Sequence, residues 1–264
     1  MNLVELKKQF LEHLKVELGR SAKTIENYDR YLKRFSSFAK VKKPAELTEE
    51  HVKNFRLYLD KQPGTKTGEQ VELMKRRTQN YYLTALRVFL GFLEEQGIKS
   101  LNPKNIKLDK VAAEYPPDLV FSTELKRLMN APNKKTLEGK RDRAILKLLL
   151  FNGLRTYELT GLCVNDVDML KGELIIKGRD ERINKVLISE KTKTTLQNYL
   201  ISREDSHDAM FVRYGRKAND GGHLRLSSRA FQRLVRKYSV SVGITAKITP
   251  QAMRHKFTAD LFRD

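Results

Sequence analysis

Apolar residues fall at helical spacing through most of the first hundred positions. Val4, Leu6, Phe10, Leu14 and Leu18 mark a first amphipathic helix closed by Gly19. Ile25, Tyr28, Leu32, Phe35 and Phe38 line one face of a second, over 21–39, with Lys23, Arg30, Lys33 and Arg34 off that face. A third opens at Thr48-Glu49-Glu50, points Val52, Phe55 and Leu59 inward and ends at Pro63-Gly64. A fourth is expected over about 70–95, with Lys75-Arg76-Arg77-Thr78 near its start and Leu83, Leu86, Phe89, Leu90 and Leu93 on its core side. The pattern predicts a four-helix domain with basic edges.

From 99 to 118 the periodicity stops. Asn102-Pro103, Lys104, Lys107, Lys110 and Pro116-Pro117 predict an extended basic linker that stays out of any packed core. The domains expected are therefore 1–98, the linker 99–118, and 119–264. In the last, a helix begins near Ser122-Thr123-Glu124-Leu125, and Ala144 to Phe151 read as a core helix stopped by Gly153. After Asp168 the period changes to two, so Glu173 to Lys177, a turn through Gly178-Arg179-Asp180-Glu181, and Arg182 to Ile188 predict a β-hairpin. Helices resume over about 190–203 and 227–242, the second with Phe231, Leu234, Val235, Tyr238 and Val242 on its buried side. The region 206–226 between them reads as a mobile loop. The fold class expected is mainly α with a small β-hairpin or sheet in the second domain.

Charge changes what such a fold is for. The 264 residues hold 52 Lys and Arg against 32 Asp and Glu, a net charge of +20. Both halves share it: 23 basic against 16 acidic residues up to 118, and 29 against 16 beyond. Interspersion with apolar positions suits folded nucleic-acid-binding domains better than a basic tail. No run reaches the about 18 apolar residues of a spanning helix, and the first residues lack a signal peptide's apolar core. A single cysteine, Cys163, excludes an internal disulfide and a cysteine-based zinc site, and the chain reads as cytosolic.

Two stretches carry candidate chemistry. Asn152-Gly153-Leu154-Arg155-Thr156-Tyr157-Glu158-Leu159 sets an arginine between two helices, where it offers a two-pronged fork to a phosphate or else pairs with Glu158. In Ile248-Thr249-Pro250-Gln251-Ala252-Met253-Arg254-His255-Lys256-Phe257, Thr249 is a natural N-cap and Pro250 fits the first helical position. Gln251 and Arg254 then share a face at a positive helix terminus, with Met253, Phe257 and Leu261 as the apolar stripe.

Together these segments resemble the tyrosine recombinases, or phage integrases, of the Xer-like site-specific type. Asn152 to Leu159 looks like the box of the first catalytic arginine, Lys177-Gly178 with Glu181-Arg182 like the hairpin of the catalytic lysine, and Thr249 to Phe257 like the box of the second arginine. Lys23-Thr24-Ile25 with Tyr28, and Leu83-Thr84-Ala85-Leu86-Arg87 with Phe89, are similar to the family's helical core-binding domain. The resemblance implies a two-domain clamp on double-stranded DNA, a SAM-like core-binding domain plus a catalytic domain, with neither metal nor cofactor. It implies that a tyrosine attacks a phosphodiester to give a 3′-phosphotyrosyl link later displaced by a 5′-hydroxyl. Arg155 and Arg254 would hold the charge that builds on the phosphorane, and Lys177 would protonate the leaving 5′ oxygen.

DNA contacts are expected from Lys23, Thr24, Arg76, Arg77, Thr78, Arg87, Arg179, Arg182, Arg229 and Arg233, with Arg236 also placed for base readout.

Two departures from the family follow. Gln251 stands where the family usually has histidine, and His255 is expected to point to a different side of the helix. All ten tyrosines lie upstream of Arg254, so the catalytic domain reads as incomplete, without its nucleophile, and the chain is expected to bind DNA without cleaving it. A monomer in solution follows from that reading, with tetramers on paired sites reserved for a longer form, and a cytoplasmic, nucleoid-associated location. The alternative is a naturally short relative that occludes or regulates recombination sites.

Overall fold

The computed structural model describes residues 2–67, 70–111, 122–178, 182–214, 224–246 and 248–261. They form two compact units, 1–113 and 114–264. In the first unit, α1 (Leu3–Val16) begins on Asn2, whose side-chain oxygen accepts the backbone N–H groups of Val4 at 2.7 Å and Glu5 at 3.2 Å. Its buried stripe is Leu3, Leu6, Phe10 and Leu14. Val4 and Leu18, expected inside, are exposed, because the stripe starts one residue earlier and the helix ends at Val16. Helix α2 (Ala22–Ala39) is capped by Ser21, and α3 (Glu49–Asp60) by Thr48. Val52, Phe55 and Leu59 of α3 are buried as expected.

The helix expected from about 70 starts six residues later, as α4 (Arg76–Glu95). The stretch before it is an antiparallel hairpin, β1 (Pro63–Thr67) with β2 (Gln70–Leu73). Gln70-Val71-Glu72-Leu73 alternates polar and apolar, a period of two that four residues of helix cannot use. The Met74 N–H closes the base on the Gln62 carbonyl at 2.9 Å. A Cβ on Gly64 would meet the Leu73 carbonyl oxygen at 2.7 Å, so only glycine lets the strands approach this closely.

The expectation that 99–118 stays out of the core fails at its start. A 3-10 turn at Pro103–Asn105 leads into Ile106, which is fully buried, and Leu101 and Leu108 pack beside it. Arg87 of α4 donates from Nε to the Ile106 carbonyl at 3.0 Å. Asn80 and Asp109 exchange two hydrogen bonds, at 2.9 and 3.1 Å, and Arg56 pairs with the Asp109 carboxylate at 3.2 Å. One apolar anchor with polar ties leaves no periodicity, which is why the pattern missed it. Pro116 and Pro117 lie outside the described residues.

The second unit is built around α6 (Leu137–Phe151), whose second half is buried nearly all round, from Ala144 through Leu150. Around it stand α5 (Ser122–Asn130), α8 (Glu190–Ile201), α9 (Ser228–Ser241) and α10 (Pro250–Leu261), with α7 (Thr156–Gly161) following α6. The expected hairpin is present as β4 (Glu173–Lys177) and β5 (Ile183–Leu187), and β3 (Val167–Asp168) adds a third antiparallel strand. In β4, Leu174 and Ile176 are buried while Lys177 is exposed, so the lysine stands at the rim of the sheet next to the turn.

The loop expected over 206–226 is also corrected in part. Ala209, Met210, Phe211 and Val212 are all buried, with single bridges joining Cys163 to Ala209 and Val212 to Arg225. Phe211 stacks on the buried Tyr199 at 5.9 Å between ring centres. Four apolar residues are too few for a helical or strand period to show. Gly215, Gly221 and Gly222 lie outside the described residues.

Candidate active site

Gly153 makes the site possible. It ends α6 in the left-handed conformation, φ +56°, and a Cβ there would lie 2.4 Å from the Phe257 ring of α10. The chain therefore turns sharply beneath α10, and Arg155 follows as the cap residue of α7. Glu158, in the first turn of α7, accepts the Arg155 backbone N–H at 2.6 Å through Oε2 and its guanidinium at 2.9 Å through Oε1. That bond, from a nearly buried carboxylate, holds the Arg155 pKa above its ordinary value.

Arg254 arrives from α10. Thr249 caps that helix by accepting the Ala252 N–H at 3.1 Å, and Met253, one residue before Arg254, is buried. Arg254 Nη1 donates to the Gly153 carbonyl at 2.8 Å and lies 3.8 Å from Glu158 Oε2. Two guanidiniums from separate helices thus converge on one carboxylate. The pairing of Arg155 with Glu158 weighed against a phosphate role is present, yet the same carboxylate gathers both arginines. Sequence reading saw Glu158 only as a local partner of Arg155; its spacing three residues on, that of a capping box, was the available signal.

One expectation about α10 is overturned. Gln251 and His255 do not point apart: the Gln251 amide nitrogen lies 2.9 Å from His255 Nε2. Four residues apart on a helix is one face. Gln251 is exposed and Arg254 half-buried, so the amide and the guanidinium stand near the N-terminal end of α10. Lys177 is exposed at the end of β4, and the Gly178 N–H bonds the Arg182 carbonyl at 2.8 Å to close the hairpin neck. Arg179 and the rest of the turn, 179–181, lie outside the described residues.

The expected DNA contacts fall into separate groups. Lys23 and Thr24 sit on the first turn of α2, Lys23 paired with Glu26 at 2.8 Å and Thr24 bonded to Ser21 at 2.9 Å. Arg76, Arg77 and Thr78 form the first turn of α4, with Arg76 held by Asp60 at 3.2 Å and Asp109 at 3.5 Å. Arg87 faces inward to the Ile106 carbonyl and is committed to holding that segment. On α9, Arg229, Arg233 and Arg236 are exposed along one stripe opposite the buried Phe231, Leu234, Val235 and Tyr238. Arg182 is exposed beside β5.

Two tyrosines of this unit are core groups. Burial pushes the Tyr199 hydroxyl pKa up, and burial with the neighbouring Asp142, which accepts from it at 2.9 Å, does the same for Tyr238. Among the described residues no cluster of His, Cys, Asp or Glu is arranged to hold a metal, and no helix is long and apolar enough to cross a membrane.

Gly153→Ala is expected to lower stability by about 1–2 kcal/mol from the left-handed backbone alone, and by more as the Phe257 ring is displaced. A denaturant titration checks this. A wild-type midpoint would show that α10 does not rest on this turn.

Comparison with known proteins places these residues in context. Residues 120–264 match the phage integrase family, and 8–97 match the phage integrase N-terminal SAM-like domain. The tyrosine recombinase XerC of Proteus mirabilis is 30% identical over 259 residues, covering 96% of this chain and 78% of that protein. XerC of Thermodesulfovibrio yellowstonii is 28% identical, over 97% of this chain and 82% of its own length. In fold, the chain is similar to lambda integrase bound to a core site, with a TM-score of 0.72 at 14% identity, covering 98% of this chain and 89% of that one. It is equally similar to the Tn1549 transposon integrase in complex with transposon right end DNA, with a TM-score of 0.72 at 19% identity over 100% and 87%.

Proposed function

Because the chain belongs to the phage integrase family and is a site-specific tyrosine recombinase, we propose that Arg155 and Arg254 hold the scissile phosphate of double-stranded DNA. The observation that carries this is their convergence on Glu158, at 2.9 and 3.8 Å. Where two permanent cations already share an anionic oxygen pair, a phosphodiester can take the outward prongs of both forks. As the phosphorane forms, its extra charge meets donors that are already in place. Gln251 adds a neutral hydrogen bond and carries no proton at pH 7. Lys177, exposed on the rim of β4, acts as general acid for the leaving 5′ oxygen.

The rest of the contact surface positions the duplex. In this reading the first turns of α2 and α4, the hairpin beside β5 and the arginine stripe of α9 bind backbone and groove. The chain acts in the cytoplasm on nucleoid DNA and is monomeric when free; sedimentation with and without DNA reads the assembly.

With on the order of ten phosphates neutralised, the logarithm of the affinity should fall with the logarithm of salt at a slope of about −9. An affinity indifferent to salt would sink the DNA reading.

The test of the clamp itself uses a duplex selected by the protein from a random library, with single phosphates replaced by neutral methylphosphonates. At one position the wild type should lose affinity while Arg155→Ala shows no further loss. Equal losses in both at every position would reduce Arg155 to general charge, as expected of a binder that only occludes sites.

A further inference from the structure

Away from the arginine pair, α6 presents a second set of cations toward α8. Lys140, Arg143 and Lys147 recur at three- and four-residue spacing, so they form one row, and all three are half-buried. Lys140 donates to the Ser202 hydroxyl at 2.6 Å, Arg143 to the Asn130 amide oxygen at 3.3 Å, and Lys147 to the Thr195 hydroxyl at 2.6 Å and the Lys191 carbonyl. Each acceptor is neutral. Among the described residues none of the three has a carboxylate at ion-pair distance, although their neighbours do: Arg141 with Asp142, Lys193 with Glu190, Arg203 with Asp205.

Half-buried cations ordinarily carry a paired anion, because desolvation without one is costly. Here the cost is visible at Lys147, whose pKa is lowered by burial and by repulsion from Arg143 and Lys191.

Lys140 and Arg143 of this row border a cleft of about 400 Å³ lined also by Lys134, Thr195, Asn198, Ile201 and Ser202. Hydroxyl and amide donors sit there beside the cations, with no acidic residue among the described residues of the lining. From Lys140 to Lys147 the row runs about 10 Å along the helix axis, and Lys140 stands about 16 Å along α6 from the end that Arg155 follows. The cleft is thus a separate place.

We propose that the α6–α8 cleft binds a chain of phosphates, which supply the missing counter-ions to the Arg143 fork and to Lys134 and Lys140. The phosphates come from a free polyphosphate-bearing molecule or from a second stretch of nucleic-acid backbone.

The probe is inorganic tripolyphosphate, titrated calorimetrically into the full chain at low salt. Binding to the cleft is expected at one equivalent, at least tenfold weaker in Lys140→Gln/Arg143→Gln and unchanged in Lys15→Gln, an exposed lysine of α1. Because the double variant relieves repulsion, its melting temperature without ligand should equal or exceed the wild type's, which separates lost binding from lost folding. Absence of binding, or binding that the double variant leaves unaffected, overturns the proposal. So does equal or tighter binding of poly-glutamate with the same dependence on Lys140 and Arg143, since that would make the partner an acidic protein. If binding holds, adding duplex DNA identifies the source: displacement of tripolyphosphate assigns the site to nucleic-acid backbone, and a ternary complex assigns it to a free polyphosphate. Either result supports a phosphate site.

Discussion

In a form of the protein that cleaves DNA, replacing Arg155 or Arg254 by alanine is expected to slow strand transfer by about 10²–10³-fold, the usual loss when one preorganised donor to a developing oxyanion is removed. The native gene product, assayed under single-turnover conditions on a selected site, gives the number. Lysine at either position should recover only part of the rate, since it restores the charge and not the planar pair of donors. The double alanine variant should cost less than the product of the two single losses. Both arginines meet Glu158, so removing one leaves the carboxylate to hold the other, and residues acting as one unit do not add. A rate unchanged by Arg254→Ala would take that residue out of the site.

The second large effect is on stability. Phe211→Ala is expected to cost about 3–5 kcal/mol, the range for deleting a buried aromatic ring. Phe211 is fully buried, stacked on Tyr199 and set edge-on to Phe231 at 6.3 Å, so its loss opens a hole shared by α8 and α9. Thermal or urea unfolding of the full chain measures it. A loss under about 1 kcal/mol, the size of a surface substitution, would mean that 209–212 does not pack as described.

The same segment shows where sequence reading reached its limit. Long helices with a clear apolar face, such as α3 with Val52, Phe55 and Leu59, were legible because period and burial coincide over several turns. Arg155 and Arg254 were legible as candidates because a glycine stop and a Thr-Pro start fixed the backbone around each. Ala209 to Val212 and Ile106 were not: each enters a core through a few residues tied by side chains distant in sequence, such as Arg203, which donates to the Ala209 carbonyl at 2.8 Å, and Arg87. The strands β1 and β2 were hidden by their shortness, and the Gln251–His255 contact by an error of face rather than of pattern. Convergence of two arginines 99 positions apart on Glu158 is a tertiary fact that no local signal carries.

That shared carboxylate also bears on how quickly the site can engage. Because Glu158 aligns both guanidiniums during folding, an arriving phosphodiester meets side chains whose rotamer freedom is already reduced. Ordering a long side chain costs about 0.5–1.5 kcal/mol on association, and here part of that entropy is settled before any DNA is present. Engagement then requires only the approach of a phosphodiester to two guanidiniums already seated on Glu158.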